Sequence, residues 1–172
     1  AIYIADLYQQ IIQHNQVDFR DPRRDHTRGR IWRVVRKDRP RLEIPKLADA
    51  SIEHVLNHLK APEQWTRLHA KRTLVERDPR SVAPALAKWV KQLNPKDADF
   101  QRHLLEALWT YQAVDQVDEP LLLRAIRAED ARVRAAATRV LGVWSDRIPD
   151  AVRLLSTQAG DANPRVRLEA VG

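Results

Sequence analysis

Two hydrophobic periods divide the chain. As far as about residue 46, apolar side chains come in short alternating stretches; from Leu47 onward they recur at helical spacing. Ala1–Ala5 reads as a short strand rich in Ile and Tyr. Gly29–Val35 reads as a second, with Ile31, Arg33 and Val35 on one side and Trp32 and Val34 on the other. Tyr8–His14 is compatible with a continued strand, a bend or a helical turn. Val17–Arg28 carries Asp-Pro, several charges and little periodicity, and reads as loop. Two strands alone do not make a stable sheet. They are expected to belong to a larger one, most of it before residue 1.

Arg39-Pro40 and Ile44-Pro45 break the chain, and the helical period follows. Ile52, Val55, Leu56 and Leu59 lie at i, i+3, i+4 and i+7, one apolar stripe capped by Asp49 or Ser51. Later starts repeat this grammar. Pro62 opens a helix, Asp78-Pro79 precedes another, and Asp97 or Asp99 a third. Pro120 and Pro149 stand where first helical turns are expected.

Four segments align without gaps: Arg67–Leu74, Gln101–Leu108, Arg134–Leu141 and Arg167–Gly172. Their first residues are 34, 33 and 33 positions apart. The fourth position is Ala70, Leu104, Ala137 or Ala170, and the eighth is Leu74, Leu108 or Leu141. Each complete unit adds a second apolar helix: Val82–Leu93, Leu121–Arg127 and Ala151–Gln158. A helix–turn–helix unit cannot bury its apolar face alone; stacked units bury a continuous core, and Ala lets neighbouring helices approach. Asp161-Ala-Asn-Pro-Arg-Val-Arg167, with Glu129-Asp-Ala-Arg-Val-Arg134, resembles the HEAT-repeat signature. The expected fold is mainly α: a HEAT-type right-handed superhelix over 47–172, preceded by a β and loop segment over 1–46.

Composition narrows the chemistry. Hydrophobic residues make up 44% and charged residues 31% of the 172 positions, enough for a buried core. Cysteine is absent, which excludes disulfides, thiolate metal sites and CxxCH haem attachment within this segment. No apolar run approaches membrane-spanning length. Methionine is absent even at position 1, and both ends lie inside patterned segments, so the chain reads as a window from a longer polypeptide. No GxSxG, Walker A or EF-hand pattern occurs. His54 and His58 form an i, i+4 pair without a third ligand at suitable spacing, and no metal site is expected. Trp65, Trp89, Trp109 and Trp144 fall in or at the ends of repeat helices and are expected to pack in the core or between repeats.

The net charge of +7 is uneven. Residues 1–46 carry 11 Lys and Arg against 6 Asp and Glu, whereas 47–172 carry 19 against 17. The excess lies in Arg20–Arg41, read as a loop whose arginines pair with local aspartates or with a neighbouring domain. A polyanion-binding arm is the sharper reading, but few aromatic or polar base readers stand among its cations.

The segments Ile2–Tyr8, Ile11–His14 and Asp21–Arg33 resemble the end of the β-propeller in large membrane-bound or exported dehydrogenases of Planctomycetes and Verrucomicrobia. Leu47–Leu59 with Ala61–Arg67 resembles the junction into that family's first HEAT repeats. The resemblance covers roughly residues 1–75. It implies a sorbosone- or glucose-dehydrogenase-like propeller, then HEAT repeats and often a c-type cytochrome, in the periplasm or cell envelope. The parent would carry haem c or a quinone cofactor, none of it held by this segment. Asp6 and His14 become candidate propeller-channel positions, beside the plainer reading of both as turn residues. Arg30, Trp32 and Arg33 become candidates for packing at the domain junction. No catalytic or metal-ligating residue is assigned. The expected role is a structural and protein-interaction module, non-catalytic by itself, whose partners are other domains of the parent chain or other proteins. The alternative is a nucleic-acid-binding HEAT-like protein of the alkylpurine DNA glycosylase type. A phycobilin-lyase-like scaffold has no specific motif behind it.

Overall fold

The computed structural model describes residues 2–6, 20–25, 27–38, 40 and 43–172, and the chain divides into two compact units, Ala1–Glu43 and Ile44–Gly172. In the first unit, β1 (Ile2–Asp6) and β2 (Arg30–Val34) pair antiparallel, with Ile2 opposite Val34, Ile4 opposite Trp32 and Asp6 opposite Arg30. Tyr3 faces Arg33 across the ladder. Side chains alternate between faces, so Ile2, Ile4, Trp32 and Val34 share one of them. Each of these four is exposed. Tyr8–His14 and 17–19 lie outside the described residues.

The second unit is helical. Its elements are α1 (Ile52–Asn57), which runs into a 3-10 turn (His58–Lys60), α2 (Gln64–Val75), α3 (Pro79–Lys91), α4 (Phe100–Ala113), α5 (Glu119–Ala125), α6 (Ala131–Val143), α7 (Ala151–Ala159) and α8 (Pro164–Val171). The protein is mainly helical with a small two-stranded sheet.

Polar caps start these helices. Ser51 rather than Asp49 caps α1, its Oγ accepting from His54 N at 3.2 Å. Asp78, Asp118, Asp130 and Asn163 each accept a first-turn backbone N–H through Oδ1, at 3.0, 2.9, 2.8 and 2.9 Å. Each such bond satisfies a donor left open by the helix geometry. Asp99 holds the N-cap position of α4 but makes no capping bond; its carboxylate takes the Arg102 guanidinium instead. Pro149 departs from expectation. It precedes the N-cap of α7, Asp150, whose φ of 59° is left-handed. Backbone N–H groups of Arg147 and Ile148 still bond the Trp144 carbonyl, so that turn uses up the chain before α7 can begin.

Along the unit, α2 packs on α4, α4 on α6 and α6 on α8, while α3, α5 and α7 pack against members of this row. Ala70, Leu74, Leu108, Ala137 and Leu141 are fully buried, and Leu104 nearly so. The aligned Ala70 and Ala137 hold the fourth position where adjacent helices meet. Ala170, in the last turn of α8, is only half-buried. Trp89 and Trp144 enter the core, but Trp65 does not: it is 54% exposed.

Candidate interaction site

One arginine arrangement recurs at the repeat interval. Arg67 Nη1 donates to the carbonyls of Ala61 and Pro62 at 2.8 and 2.7 Å. Arg134 Nη1 does the same to Ala128 and Glu129 at 2.8 and 2.9 Å, and Arg167 Nη1 to Asp161 and Ala162 at 2.9 and 3.0 Å. Each side chain reaches back to the loop before its own helix, where carbonyls have no helical partner. Two also reach forward to the next repeat. Arg67 Nε meets Glu106 at 2.7 Å, and Arg134 makes two parallel bonds to Asp161 at 2.8 and 3.0 Å. Gln101 replaces the arginine in the second repeat segment, and its Oε1 accepts from the backbone N–H of Asp130 at 2.8 Å. The planar guanidinium suits both contacts at once, because it offers five donors in a fixed fork.

The same helices present an open face. On α2, Trp65, Leu68, His69, Arg72 and Val75 follow helical spacing, and Trp65 stacks on His69 with centroids 5.1 Å apart. Next to them α4 brings Trp109 and Gln112, α6 brings Ala136 and Arg139, and α8 brings Arg165 and Glu169. Two hollows of about 730 and 520 Å³ open on this face, and Trp109 and Gln112 line both. The two hollows share Trp109 and Gln112, and between them this groove touches α2, α4, α6 and α8.

Trp109 has an ion-paired cation beside its ring. The Lys71 ammonium lies 5.1 Å from its ring centroid and bonds the Glu106 carboxylate, which also takes Arg67. The Glu106 side chain is only 3% exposed, so it is a buried anion compensated by two cations. Other cations of the groove are also paired, Arg132 with Asp130 and Arg165 with Glu169. Arg72 and Arg139 differ: both are exposed, and neither forms an ion pair among the described residues.

His103 is buried on α4 beside Trp89. Burial, and then the Arg102 charge, push its pKa below the usual histidine value. Arg102 also stands 3.4 Å from its Nε2, an arrangement suited to the neutral ring as acceptor. Asp161 is held below the usual carboxylate range by its bonds from Arg134, and Asp130 likewise by Arg132.

The candidates from the strand segment fall in the first unit. Trp32 Nε1 donates to Asp6 Oδ2 at 3.0 Å, and the Arg30 guanidinium lies 5.8 Å from the Trp32 ring. Asp6, Arg30 and Trp32 therefore meet on one face, while Arg33 sits on the other opposite Tyr3. His14 lies outside the described residues. In the basic segment Arg23 pairs with Asp21, Arg28 with Asp25 and Arg36 with Asp38. The Arg23 bonds hold the Asp21 carboxyl down at about 2. His54 and His58 lie with rings 4.9 Å apart, and no group of three or more metal-ligating side chains converges among the described residues. No helix is long and apolar enough to cross a membrane, among the described residues.

Sequence reasoning alone does not single out Arg72, Trp109 and Arg139 as a site. A signal is present: Arg72 and Arg139 occupy the same sixth position of their repeat segments, with Glu106 between them.

No family model matches the chain, and no curated protein matches it. Among solved structures it is similar to the crystal structure of an engineered protein, at 19% identity and a TM-score of 0.40, over 69% of this chain and 59% of that one. The chain therefore spans about three fifths of the structure it matches.

Proposed function

We propose that residues 47–172 form a HEAT-type right-handed superhelix that serves as a protein-interaction module, and that the chain is the propeller–repeat junction of a larger exported dehydrogenase. The recurrence of one arginine-to-loop arrangement at Arg67, Arg134 and Arg167 carries the repeat part of this reading. Equivalent units joined by side chains that bridge to the next unit make a stack whose exposed face keeps its shape, which suits binding more than a moving lid. The groove across α2, α4, α6 and α8 supplies the surface. Trp and Arg, the residue types at its centre, are those enriched at interface hot spots.

The dehydrogenase part rests on the resemblance of residues 1–75, to which the exposed Ile2, Ile4, Trp32 and Val34 lend support: a two-stranded ladder with bare apolar faces fits a place beside further strands. Asp6 would then sit near the propeller channel, Arg30, Trp32 and Arg33 at the domain junction, and the parent in the periplasm or cell envelope with haem c or a quinone. The coding sequence on either side of this chain tests that part. Propeller-blade strands upstream and a CxxCH motif downstream support it; their absence from the parent reading frame overturns it. The nucleic-acid alternative draws less support, because the repeat region carries 19 cations against 17 anions and most of the groove's cations are already paired.

A further inference from the structure

From the groove's charge and apolar content we infer the chemistry of its partner: an acidic, extended peptide segment carrying bulky apolar side chains between its carboxylates. The inference rests on the interaction-module reading of residues 47–172 and not on the dehydrogenase context. Trp109, half-buried at the meeting point of the two hollows, offers a broad aromatic surface. Leu68 and Val75 on α2, each 50% exposed, continue that surface on one side, and Ala136 continues it on the other. An aliphatic or aromatic anchor seated here buries area on both partners.

Charge selects the rest of the ligand. Arg72 on α2 and Arg139 on α6 stand on opposite sides of the α4 tryptophan, without an ion pair among the described residues. The groove's own anions are Glu76, beside Arg72, and Glu169, which Arg165 already holds. Lys71 also lines the groove, but it is ion-paired with Glu106, which it shares with Arg67. Among the groove's Lys and Arg side chains these two are the ones without an ion pair among the described residues, and their planar forks match carboxylates. A duplex needs a denser row of unpaired cations to follow its phosphates, and has no use for the apolar floor. A carboxylate–apolar–carboxylate peptide satisfies both features at once.

Titration of the full chain with a fluorescein-labelled peptide of repeating Glu-Leu-Glu, followed by anisotropy at low and physiological salt, tests this. The comparison probes are a Lys-Leu-Lys peptide, an all-Glu peptide and a short random-sequence DNA duplex. The Glu-Leu peptide should bind more tightly than the other three. Arg72→Glu and Arg139→Glu should each weaken it by about tenfold or more. Arg153→Glu, at an exposed site on α7 away from the groove, should leave it unchanged. Circular dichroism of each variant shows that the helices are retained, as expected for exposed positions.

Failure of the Glu-Leu peptide to bind overturns the inference. So does binding that survives both reversals, which would place it on the basic segment of the first unit. Tighter duplex binding lost with the same reversals would assign the groove to nucleic acid. A dimer that the reversals dissociate, without an effect of peptide, would assign it to a second copy of the chain. None of these results alters what the flanking coding sequence says of the dehydrogenase context, so the two parts fail separately.

Discussion

The guanidinium of Arg134 and the carboxylate of Asp161 meet through two parallel hydrogen bonds, Nε to Oδ2 at 2.8 Å and Nη2 to Oδ1 at 3.0 Å. The pair joins α6 to the loop that starts α8, and the third arm of the guanidinium closes the loop before α6. One side chain thus ties three pieces of backbone.

Arg134→Lys keeps the charge and loses the fork. It should destabilise the protein by about 1–3 kcal/mol in denaturant unfolding, as expected for charged hydrogen bonds that are partly sheltered. A double-mutant cycle with Asp161→Asn should return a coupling energy of the same sign. The Asp161 contribution also depends on pH. Its pKa is lowered by folding, so the stabilisation is present above the unfolded carboxylate value near 3.8 and is lost as pH falls through the folded value. A coupling energy near zero at neutral pH would show that the bridge adds nothing to stability.

Leu108 and Leu141 occupy the eighth position of their repeat segments and are fully buried. Replacement of either by Ala should cost about 2–5 kcal/mol. Leu68→Ala, on the exposed face of α2, should cost under about 1 kcal/mol. Equal losses at all three sites in chemical denaturation would contradict the repeat register.

His103 makes the fold sensitive to mild acid. Burial and Arg102 depress its pKa, with Lys60 acting the same way and Asp97 and Asp99 opposing. The unfolded chain takes up this proton near pH 6.5, more readily than the folded ring does, so stability falls as pH drops through about 6.5 and down to the folded value. His103→Gln should flatten the slope of unfolding free energy between pH 7 and pH 5. An unchanged slope would place the dependence on other groups.

Pro84 lies inside α3 with its side chain exposed. Its ring removes one backbone donor and crowds the preceding turn. Pro84→Ala should raise stability by up to about 3 kcal/mol, seen as a higher Tm. A lower Tm would mean that the helix depends on the ring.

Much of the helical unit is legible in sequence because it repeats. The 33- and 34-residue spacing locates Ala70, Leu74, Leu108, Ala137 and Leu141 in the core, and a polar residue just before most helices marks their starts. Trp65 does not follow its pattern. Helical spacing puts it beside apolar neighbours, which predicts packing, yet the structure pairs it with His69 on the open face, where Leu68 is exposed as well. Pro149 departs for another reason: proline marks a helix start in general, whereas here the turn after α6 continues through Ile148. The groove is hidden in sequence because charge pairing is not written there. Arg72 and Arg139 resemble any solvated cation until the structure shows that Lys71, Arg132 and Arg165 are in ion pairs and these two are not, among the described residues.

The most direct test of the groove as a binding surface is the indole N–H signal of Trp109 in a 1H–15N spectrum of the full chain, followed during addition of the Glu-Leu-Glu peptide. Binding in the groove should shift that signal together with the backbone signals of Arg72 and Arg139, and leave the Trp32 indole in place. Shifts confined to Trp32 and the segment 20–38, with Trp109 unmoved, would contradict the groove as the binding surface.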